Sequence, residues 1–297
     1  MEITIKRLTE CTLEEIVTAW NKGFEGYFVK IEMTAETLMG RIISEGLSLS
    51  QSIVAVVDEK PVGIVLNGFR MVNGKKVSWN GGTGVAVEYR GKGISNRLME
   101  EILKIYLEEG VETATLEAIK ANEKAIRLYE KYGYSVVGEV GFLSGTPELF
   151  DVRGSNIVSK VIRPEQFEGV SFYNPSIPWQ CQWQSVKSGE AQIFSDSEGN
   201  PLGYALYRKV WNTEGKLEKV FLYQFELLRE VNEEIVRTIL TLLAERENHS
   251  VNFITINLPY ANPVSTILLQ LGFTKTTEQV QMTSRVTGTT HNLGDKL

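Results

Sequence analysis

The chain has 297 residues, an apolar content of 42% and a formal net charge of −6. This length is about twice that of an ordinary domain and predicts two domains, while the acidic balance argues against a general nucleic-acid binder, which normally shows a basic stripe. The distant Cys11 and Cys181 predict neither a disulfide framework nor a metal site. Because the N-terminus has no signal-peptide pattern and no apolar run could span a bilayer, we expect a cytoplasmic protein without membrane or nucleic-acid partners.

The first half of the chain predicts a mixture of helices and strands. A strand at residues 3–9 precedes two amphipathic helices, over 12–24 and 34–46, each with a threonine able to cap its start. Three strands then form a meander with turns at 58–61 and 73–75. The half is completed by a helix from about 95 to 109, a strand over 112–121, a short helix over 122–133 and a returning strand over 135–143.

Three landmarks recur at nearly one offset and indicate an internal repeat. They are Gly63 and Gly203, then Asn122 and Asn262, both pairs 140 positions apart, and Gly133 and Gly272, 139 apart. Because they keep the same order, we expect a duplicated module of about 140 residues. The sequence therefore predicts two tandem domains, 1–150 and 151–297, each with a mixed α/β sheet, although the second lacks a clear initial strand and helix pair.

The stretch YRGKGIS lies where the third meander strand gives way to a helix. Glycines free the backbone to approach a ligand, so the N–H groups from Gly91 to Ser95 can point at one anion beside the positive end of the helix dipole. Arg90 and Lys92 add full positive charges. The pattern matches neither the P-loop nor the dinucleotide fingerprint, and the alternative interpretation is an ordinary glycine-containing connection with solvated cations.

The order of elements around this stretch resembles the GCN5-related N-acetyltransferase (GNAT) superfamily. The loop resembles the family's Gln/Arg-x-x-Gly-x-Gly/Ala motif, with serine at the last position, and occupies Arg90, Gly91, Lys92, Gly93, Ile94 and Ser95. The following segment is similar to the next family motif and supplies Asn122, Tyr129, Gly133 and Tyr134. The resemblance covers most of residues 1–145 and implies the family's fold and coenzyme A binding.

The resemblance also implies how acetyl-CoA is held. Pantetheine would lie between two splayed strands and pair with the strand edge at Val85, Ala86 and Val87, whose N–H groups are also candidates for stabilising the reacting carbonyl oxygen. The pyrophosphate would lie on residues 90–95, with Asn122 and Tyr129 completing the cofactor site.

Two residues are candidates for the catalysis that this resemblance implies. Tyr129 would protonate the leaving thiolate, and core packing is its alternative role. Glu117, in TLEAIKAN, is similar to the glutamate that acts as base in the ribosomal-protein N-terminal acetyltransferase branch. Its alternative is a solvent-facing strand position, and a base acting through water from Glu25 or Glu88 also stays open.

Four residues are candidates for the acceptor site. Phe24, Glu25 and Tyr27 follow the first helix, where the superfamily shapes its acceptor site, and Glu25 would attract a cation. Asn80 lies where some family members carry a catalytic glutamate, and its amide would orient the amine or a water. For the aromatic residues Phe24 and Tyr27, the alternative role is packing in the loop between the two helices.

The second half lacks the features of the first cradle. The corresponding stretch, 228–232, has no glycine, and Glu226 and Glu230 would repel a pyrophosphate. We therefore expect one active and one degenerate module in an acetyl-CoA-dependent N-acetyltransferase, which moves an acetyl group to a small-molecule or peptide amine by direct attack in a ternary complex. The alternative is a non-catalytic acyl-CoA sensor, and the sequence fixes neither the acceptor nor the oligomeric state.

Overall fold

The structure is a computed structural model that describes residues 1–150, 152, 155–229, 231–245 and 250–286. The described residues form two compact units, one of residues 1–137 with residues 281–286, the other within residues 138–280. The sequence placed one boundary between 150 and 151, whereas the units change over at 137 and again at 280. No helix of the described residues is long and apolar enough to cross a membrane.

The first unit is a sheet in the order β1-β2-β3-β4-β5, antiparallel from β1 to β4 and parallel between β4 and β5. Its elements are β1 (Thr4–Arg7), α1 (Leu13–Gly23), α2 (Ala35–Glu45), β2 (Ile53–Val57), β3 (Lys60–Val72), β4 (Lys75–Val85), α3 (Ile94–Glu108), β5 (Thr113–Ile119), α4 (Glu123–Lys131) and β6 (Ser135–Gly145). Every residue of β2 is buried, which is the pattern of a strand covered on both faces.

Local sequence explains where these elements begin and turn. Thr12 caps α1 and Thr34 caps α2, each accepting a hydrogen bond from the third helical N–H. The tight hairpins have positive φ at Asp58, 47°, and at Asn73, 51°, as primed turns require. The caps and turns read from the sequence are therefore confirmed.

The second unit repeats the succession of two hairpins, a helix, a parallel strand and a helix. Its strands lie in the order β7-β8-β9-β10-β11-β6-β13. The elements are β7 (Val158–Ile162), β8 (Glu190–Ser195), β9 (Pro201–Trp211), β10 (Leu217–Leu227), α5 (Glu233–Leu243), β11 (Asn252–Thr255), β12 (Leu258–Pro259), α6 (Pro263–Gln270) and β13 (Thr274–Arg285). Short 3₁₀ turns, at Pro164–Gly169, Trp179–Cys181 and Trp183–Ser185, replace the two initial helices of the first unit.

The last strand explains why no single position in the chain separates the two units. Residues 274–280 of β13 belong to the second unit, whereas residues 281–285 belong to the first, where β13 is the neighbour of β5. The Val286 N–H donates to the Glu112 carbonyl at 3.0 Å just before β5. The end of β13 thus adds to the sheet of the first unit, and a boundary predicted from a linker between the two halves cannot reveal this.

Candidate active site

A run of backbone N–H groups without acceptors lies where the sequence predicts an anion cradle. Gly91 and Gly93 have φ of 74° and 85°, and α3 begins directly after them. Among the described residues, no backbone or side-chain acceptor bonds the six N–H groups of residues 91–96. Gly93 rather than Ser95 is the N-cap, and it offers no side chain to bond the first-turn N–H groups. These groups and the helix dipole therefore remain available to an anion.

The space above the cradle is open. A Cβ atom built on Gly91 or on Gly93 meets nothing within 4 Å. The positive φ angles, rather than close approach of another part of the chain, are thus what glycine provides here. Lys92 is exposed, and its ammonium lies 5.3 Å from the centre of the Tyr89 ring.

Arg90 has a different role from the one that its position in the motif indicates. Its guanidinium donates to three backbone carbonyls, those of Val85 at 2.9 Å, Gly23 at 3.2 Å and Glu25 at 2.9 Å. Arg90 therefore holds the end of α1 against the end of β4. Its charge is therefore directed at these three carbonyls.

The two parallel strands of the first unit part where the site begins. The pairing of β4 with β5 ends at Asn80 opposite Leu116, yet β4 continues to Val85 and β5 to Ile119. A bulge in β4, opposite Leu66, lies at this point. Residues 81–85 of β4 thus have no partner strand on the β5 side within the described chain. Such an edge can pair with an extended ligand.

The exposed strand edge lies earlier than the sequence predicted. The Ala86 N–H donates to the Val62 carbonyl at 2.8 Å, and Val87 begins a 3₁₀ turn that ends at Tyr89. The strand expected through Val87 therefore ends at Val85. The reason is local, because the Tyr89 N–H bonds back to the Ala86 carbonyl at 2.9 Å and closes the turn.

Tyr129 reaches from α4 to the diverging part of β4. It is 7% exposed, burial raises the pKa of its hydroxyl to about 12, and a side-chain hydrogen bond with Thr83 acts in the opposite direction. Thr83 is in turn joined to Asn80, whose Nδ2 donates to the threonine Oγ1 at 2.8 Å. These bonds place Tyr129, Thr83 and the buried Asn80 in one polar chain at the point where the strands separate.

The loop after α1 contacts the N-terminus of α4. Asn122 caps α4, accepting from the Ala125 N–H at 3.2 Å, and its side chain also interacts with the Tyr27 hydroxyl. Burial raises the pKa of Tyr27, and the Asn122 interaction partly offsets that effect. The Phe24 ring packs edge-on against Tyr27, with ring centres 5.3 Å apart.

Three of the four predicted acceptor residues line one cleft. The cleft has a volume of about 270 Å³ and lies in the segment between α1 and α2. It is lined by Asn21, Phe24, Glu25, Gly26, Tyr27, Val29, Lys30, Ile31 and Glu32. Lys30 pairs with Glu32 at 3.2 Å, whereas Glu25 is exposed. Asn80 lies in β4 and does not line this cleft.

Glu117 is buried in surroundings that raise the pKa of its carboxyl. Its Oε2 accepts a hydrogen bond from the Trp79 indole at 2.8 Å, and its Oε1 is buried without a hydrogen-bond partner in the part of the chain that the structure describes. Burial raises the pKa of Glu117 to about 7; the Trp79 bond lowers it and the charge of Glu45 raises it further. A carboxyl with a pKa near 7 is suited to general base catalysis at neutral pH.

Two charged residues of α2 that were not predicted lie near this part of the site: Glu45, whose charge acts on Glu117, and Arg41, which lies 5.9 Å from the Trp79 ring centre. Arg41 and Glu45 on α2 form an ion pair at 2.7 Å, and their side chains are only 17% and 14% exposed. Arg41 also donates to the Gly81 carbonyl at 2.6 Å. Their spacing of four residues on a helix was visible in the sequence, but it is equally typical of an exposed surface pair.

The second unit has a similar divergence of strands, but its own chain occupies it. The pairing of β10 with β11 ends at Leu222 opposite Thr255. The buried Cys181 lies between the separating strands, because its carbonyl accepts from Gln224 at 2.8 Å and its Sγ contacts the Ile256 carbonyl at 3.0 Å. The 3₁₀ turn Trp179–Cys181 therefore bridges the position where a ligand could enter.

The loop after β10 is also a poor anion site. The side chain of Asn232 caps α5 and accepts from the Ile235 N–H at 2.9 Å, so this donor is already bonded. Burial raises the pKa of Glu226, at the end of β10, to about 7, although an interaction with Asn262 lowers it. Glu230, which the sequence named as a second repelling charge, lies outside the described residues.

The fold defines a class of protein before any comparison is made: each unit is a mixed α/β sheet whose parallel strand pair parts beside a helix N-terminus. Comparison with known proteins names the family. The acetyltransferase (GNAT) family matches residues 14–134. N-alpha-acetyltransferase 20 of Dictyostelium discoideum is 30% identical, over 42% of this chain and 75% of that protein. The chain therefore belongs to the GNAT family and is an acetyltransferase.

Similar solved structures confirm the tandem arrangement of two GNAT folds. A GCN5-related N-acetyltransferase from Sphaerobacter thermophilus aligns with a TM-score of 0.64 at 14% identity, covering 96% of both chains. A tandem GNAT protein from the clavulanic acid biosynthesis pathway aligns with a TM-score of 0.62 at 12% identity, covering 96% of this chain and 98% of that one. At these identities the likeness concerns the fold alone.

Proposed function

We propose that the first unit binds acetyl-CoA and transfers its acetyl group to a primary amine by direct attack in a ternary complex. The observation that carries the proposal is the cradle: within the described part of the chain, the six N–H groups of residues 91–96 have no acceptor, and the neighbouring end of β4 has no partner strand on the β5 side. An extended ligand with a diphosphate at one end fits this combination. The open space above Gly91 and Gly93 supports the same fit.

Glu117 is the general base in this proposal. The acceptor amine must be neutral to attack, and Glu117 takes its proton at the buried Oε1, which has no hydrogen-bond partner within the described ranges. With a pKa of about 7, the carboxyl is ionised in a large fraction of molecules at neutral pH and still holds a proton well enough to remove it from an ammonium.

Tyr129 is the general acid. Acetyl-CoA, when bound, supplies an activated acetyl group and a thiolate leaving group. Tyr129 stays protonated at neutral pH because its pKa is about 12, and its hydroxyl donates a proton toward the leaving sulfur. The Ala86 N–H is bonded to Val62, and the Gly82 N–H donates to the Asn80 side chain at 3.1 Å. We therefore assign the donor to the developing oxyanion to another N–H of residues 81–85, where β4 has no partner strand on the β5 side among the described residues.

The second unit does not bind the cofactor in this proposal. Cys181 and its neighbours occupy the divergence of β10 and β11, and the loop after β10 has no glycine to expose its backbone. Calorimetry with acetyl-CoA is therefore expected to give one site per chain. A stoichiometry of two would contradict this assignment.

The acceptor is tested most directly with α-amino groups. The relative in Dictyostelium discoideum is named an N-alpha-acetyltransferase, and the cleft beside Tyr27 opens to solvent next to the exposed Glu25 carboxylate, which favours a cationic group. A panel of short peptides, with free and blocked N-termini, would be compared with lysine and small amines by measuring thiol release from acetyl-CoA.

Two variants distinguish catalysis from simple binding. Glu117→Gln and Tyr129→Phe should each lower thiol release by about 10²-fold or more while leaving calorimetric binding of acetyl-CoA nearly unchanged. Glu112→Gln, which removes an exposed carboxyl next to β5, is the matched control and should retain activity. A protein that binds acetyl-CoA but releases no thiol with any acceptor would instead be an acyl-CoA sensor.

A further inference from the structure

Trp79 makes a contact that the proposed mechanism has not used. We propose that Trp79 is a positioning residue for Glu117, and that it acts with Arg41 and Glu45 of α2 to set how readily this carboxyl takes a proton. The inference rests on the proposed function only in naming Glu117 as the base. The contacts themselves belong to the folded first unit and exist without acetyl-CoA or acceptor.

The hydrogen bond gives Trp79 direct control over the carboxylate. The indole Nε1–H donates to Oε2 at 2.8 Å, while Oε1 is buried and has no partner among the described residues. One carboxylate oxygen is therefore fixed and the other is left to exchange a proton. Trp79 lies opposite Thr115 on the paired parts of β4 and β5, and Glu117 follows Thr115 by two residues on β5. The side chains of Trp79 and Glu117 therefore project from the same face of the sheet.

Packing holds the indole on both sides. Trp79 is 3% exposed, and a Cβ atom on Gly81 would lie 2.7 Å from its ring, so only glycine fits beside it. On the α2 side, the Arg41 guanidinium lies 5.9 Å from the Trp79 ring centre and 4.9 Å from that of Trp20. The donor therefore has little freedom to turn away from Glu117.

Charges on α2 act on the same carboxyl. The negative charge of Glu45 raises the pKa of Glu117. Arg41 pairs with Glu45 at 2.7 Å, so the position of the Glu45 carboxylate is held by this ion pair. The Trp79 hydrogen bond and the Glu45 charge thus act on Glu117 in opposite directions, which provides a pair of variants with opposite expected results.

The test uses two readouts on the full-length protein. The first is the carbon-13 NMR titration of the Glu117 carboxyl in the ligand-free protein, assigned with Glu117→Gln. The second is the acidic limb of kcat/KM against pH. In Trp79→Phe, both should move to higher pH by about 1–2 units, because a hydrogen bond to the charged form is lost. At pH 7, kcat/KM should fall by about 5-fold to 50-fold, because the ionised fraction of Glu117 falls with that shift, and it should recover at alkaline pH.

Glu45→Gln should move both readouts to lower pH, because a negative neighbour is removed and Arg41 loses its partner. Its side chain is partly exposed, so this variant tests the proposal even if Trp79→Phe folds poorly. The matched controls are Trp211→Phe, at an exposed tryptophan of β9, and Glu36→Gln, at an exposed position of α2; neither should shift the titration.

The possible results separate this inference from the proposed function. A Trp79→Phe protein whose Glu117 titrates as in the wild type would overturn the positioning role, as would shifts of the same sign in Trp79→Phe and Glu45→Gln. If the NMR titration shifts as expected but the kinetic limb does not, the positioning role stands and Glu117 is not the base.

Discussion

Replacing Glu117 with glutamine should make the protein more stable at alkaline pH and nearly inactive. Glutamine keeps an acceptor for the Trp79 indole but carries no charge into the buried position. Removal of a general base lowers the rate by about 10²–10⁴-fold. The two effects have one cause, since the carboxylate that accepts the proton is also the group that is costly to bury.

The size of the change in the free energy of unfolding follows from the shift in the pKa of Glu117. Burial raises the pKa of Glu117 from its ordinary value of 4.5 to about 7, so the folded state retains a proton that the unfolded state has already released. The stability associated with this proton is fully present below pH 4.5 and is lost as the pH rises through 7. A difference of about 2.5 units corresponds to about 3 kcal/mol, which the glutamine variant does not lose.

Urea unfolding at pH 4 and pH 8 measures this difference. The free energy of unfolding of Glu117→Gln, relative to the wild type, should increase by about 3 kcal/mol between these pH values. Glu112→Gln, at an exposed carboxyl just before the same strand, should show no comparable change. A relative stability of Glu117→Gln that stays constant with pH would refute the argument, because Glu117 would then titrate as it does in the unfolded chain.

Three further predictions concern the cradle and its neighbours. Gly93→Ala, at a φ of 85°, should cost about 1–2 kcal/mol of stability and weaken acetyl-CoA binding at least tenfold by calorimetry, whereas Gly40→Ala, in open space on α2, should stabilise the protein. Tyr129→Phe should lower kcat by about 10²-fold with an acetyl-CoA dissociation constant within about twofold of wild type. Arg90→Met, which loses three hydrogen bonds to carbonyls, should raise KM for the acceptor more than it weakens acetyl-CoA binding in calorimetry.

Much of the site was accessible from the sequence because it depends on local chemistry. Glycines at 91 and 93 between a strand and a helix predict a backbone that presents its N–H groups, and both glycines have the expected positive φ. The capping threonines, the hairpin turns and the repeat of about 140 residues are likewise properties of neighbouring residues or of self-similarity. Asn122 and Tyr129 were placed on α4 in the same way.

Other features could not be read from the sequence because they join residues far apart in the chain. Arg90 donates to Gly23 and Glu25, more than sixty residues earlier, so its position in the glycine motif gave no indication of these partners. The strand edge was predicted two residues too far along, since a 3₁₀ turn and the Ala86 hydrogen bond to Val62 depend on the neighbouring strand.

The sequence by itself indicated two similar α/β modules and a glycine loop, YRGKGIS, in the first of them but not at the corresponding stretch of the second. Tertiary structure alone decided the environment of Glu117, because Trp79 and Glu45 are brought to it by the pairing of β4 with β5 and the packing of α2. It also decided that Cys181 lies between the separating strands of the second unit. The physical reason is the same in both cases: burial and hydrogen bonding depend on which distant segments meet, and spacing along the chain does not encode that directly.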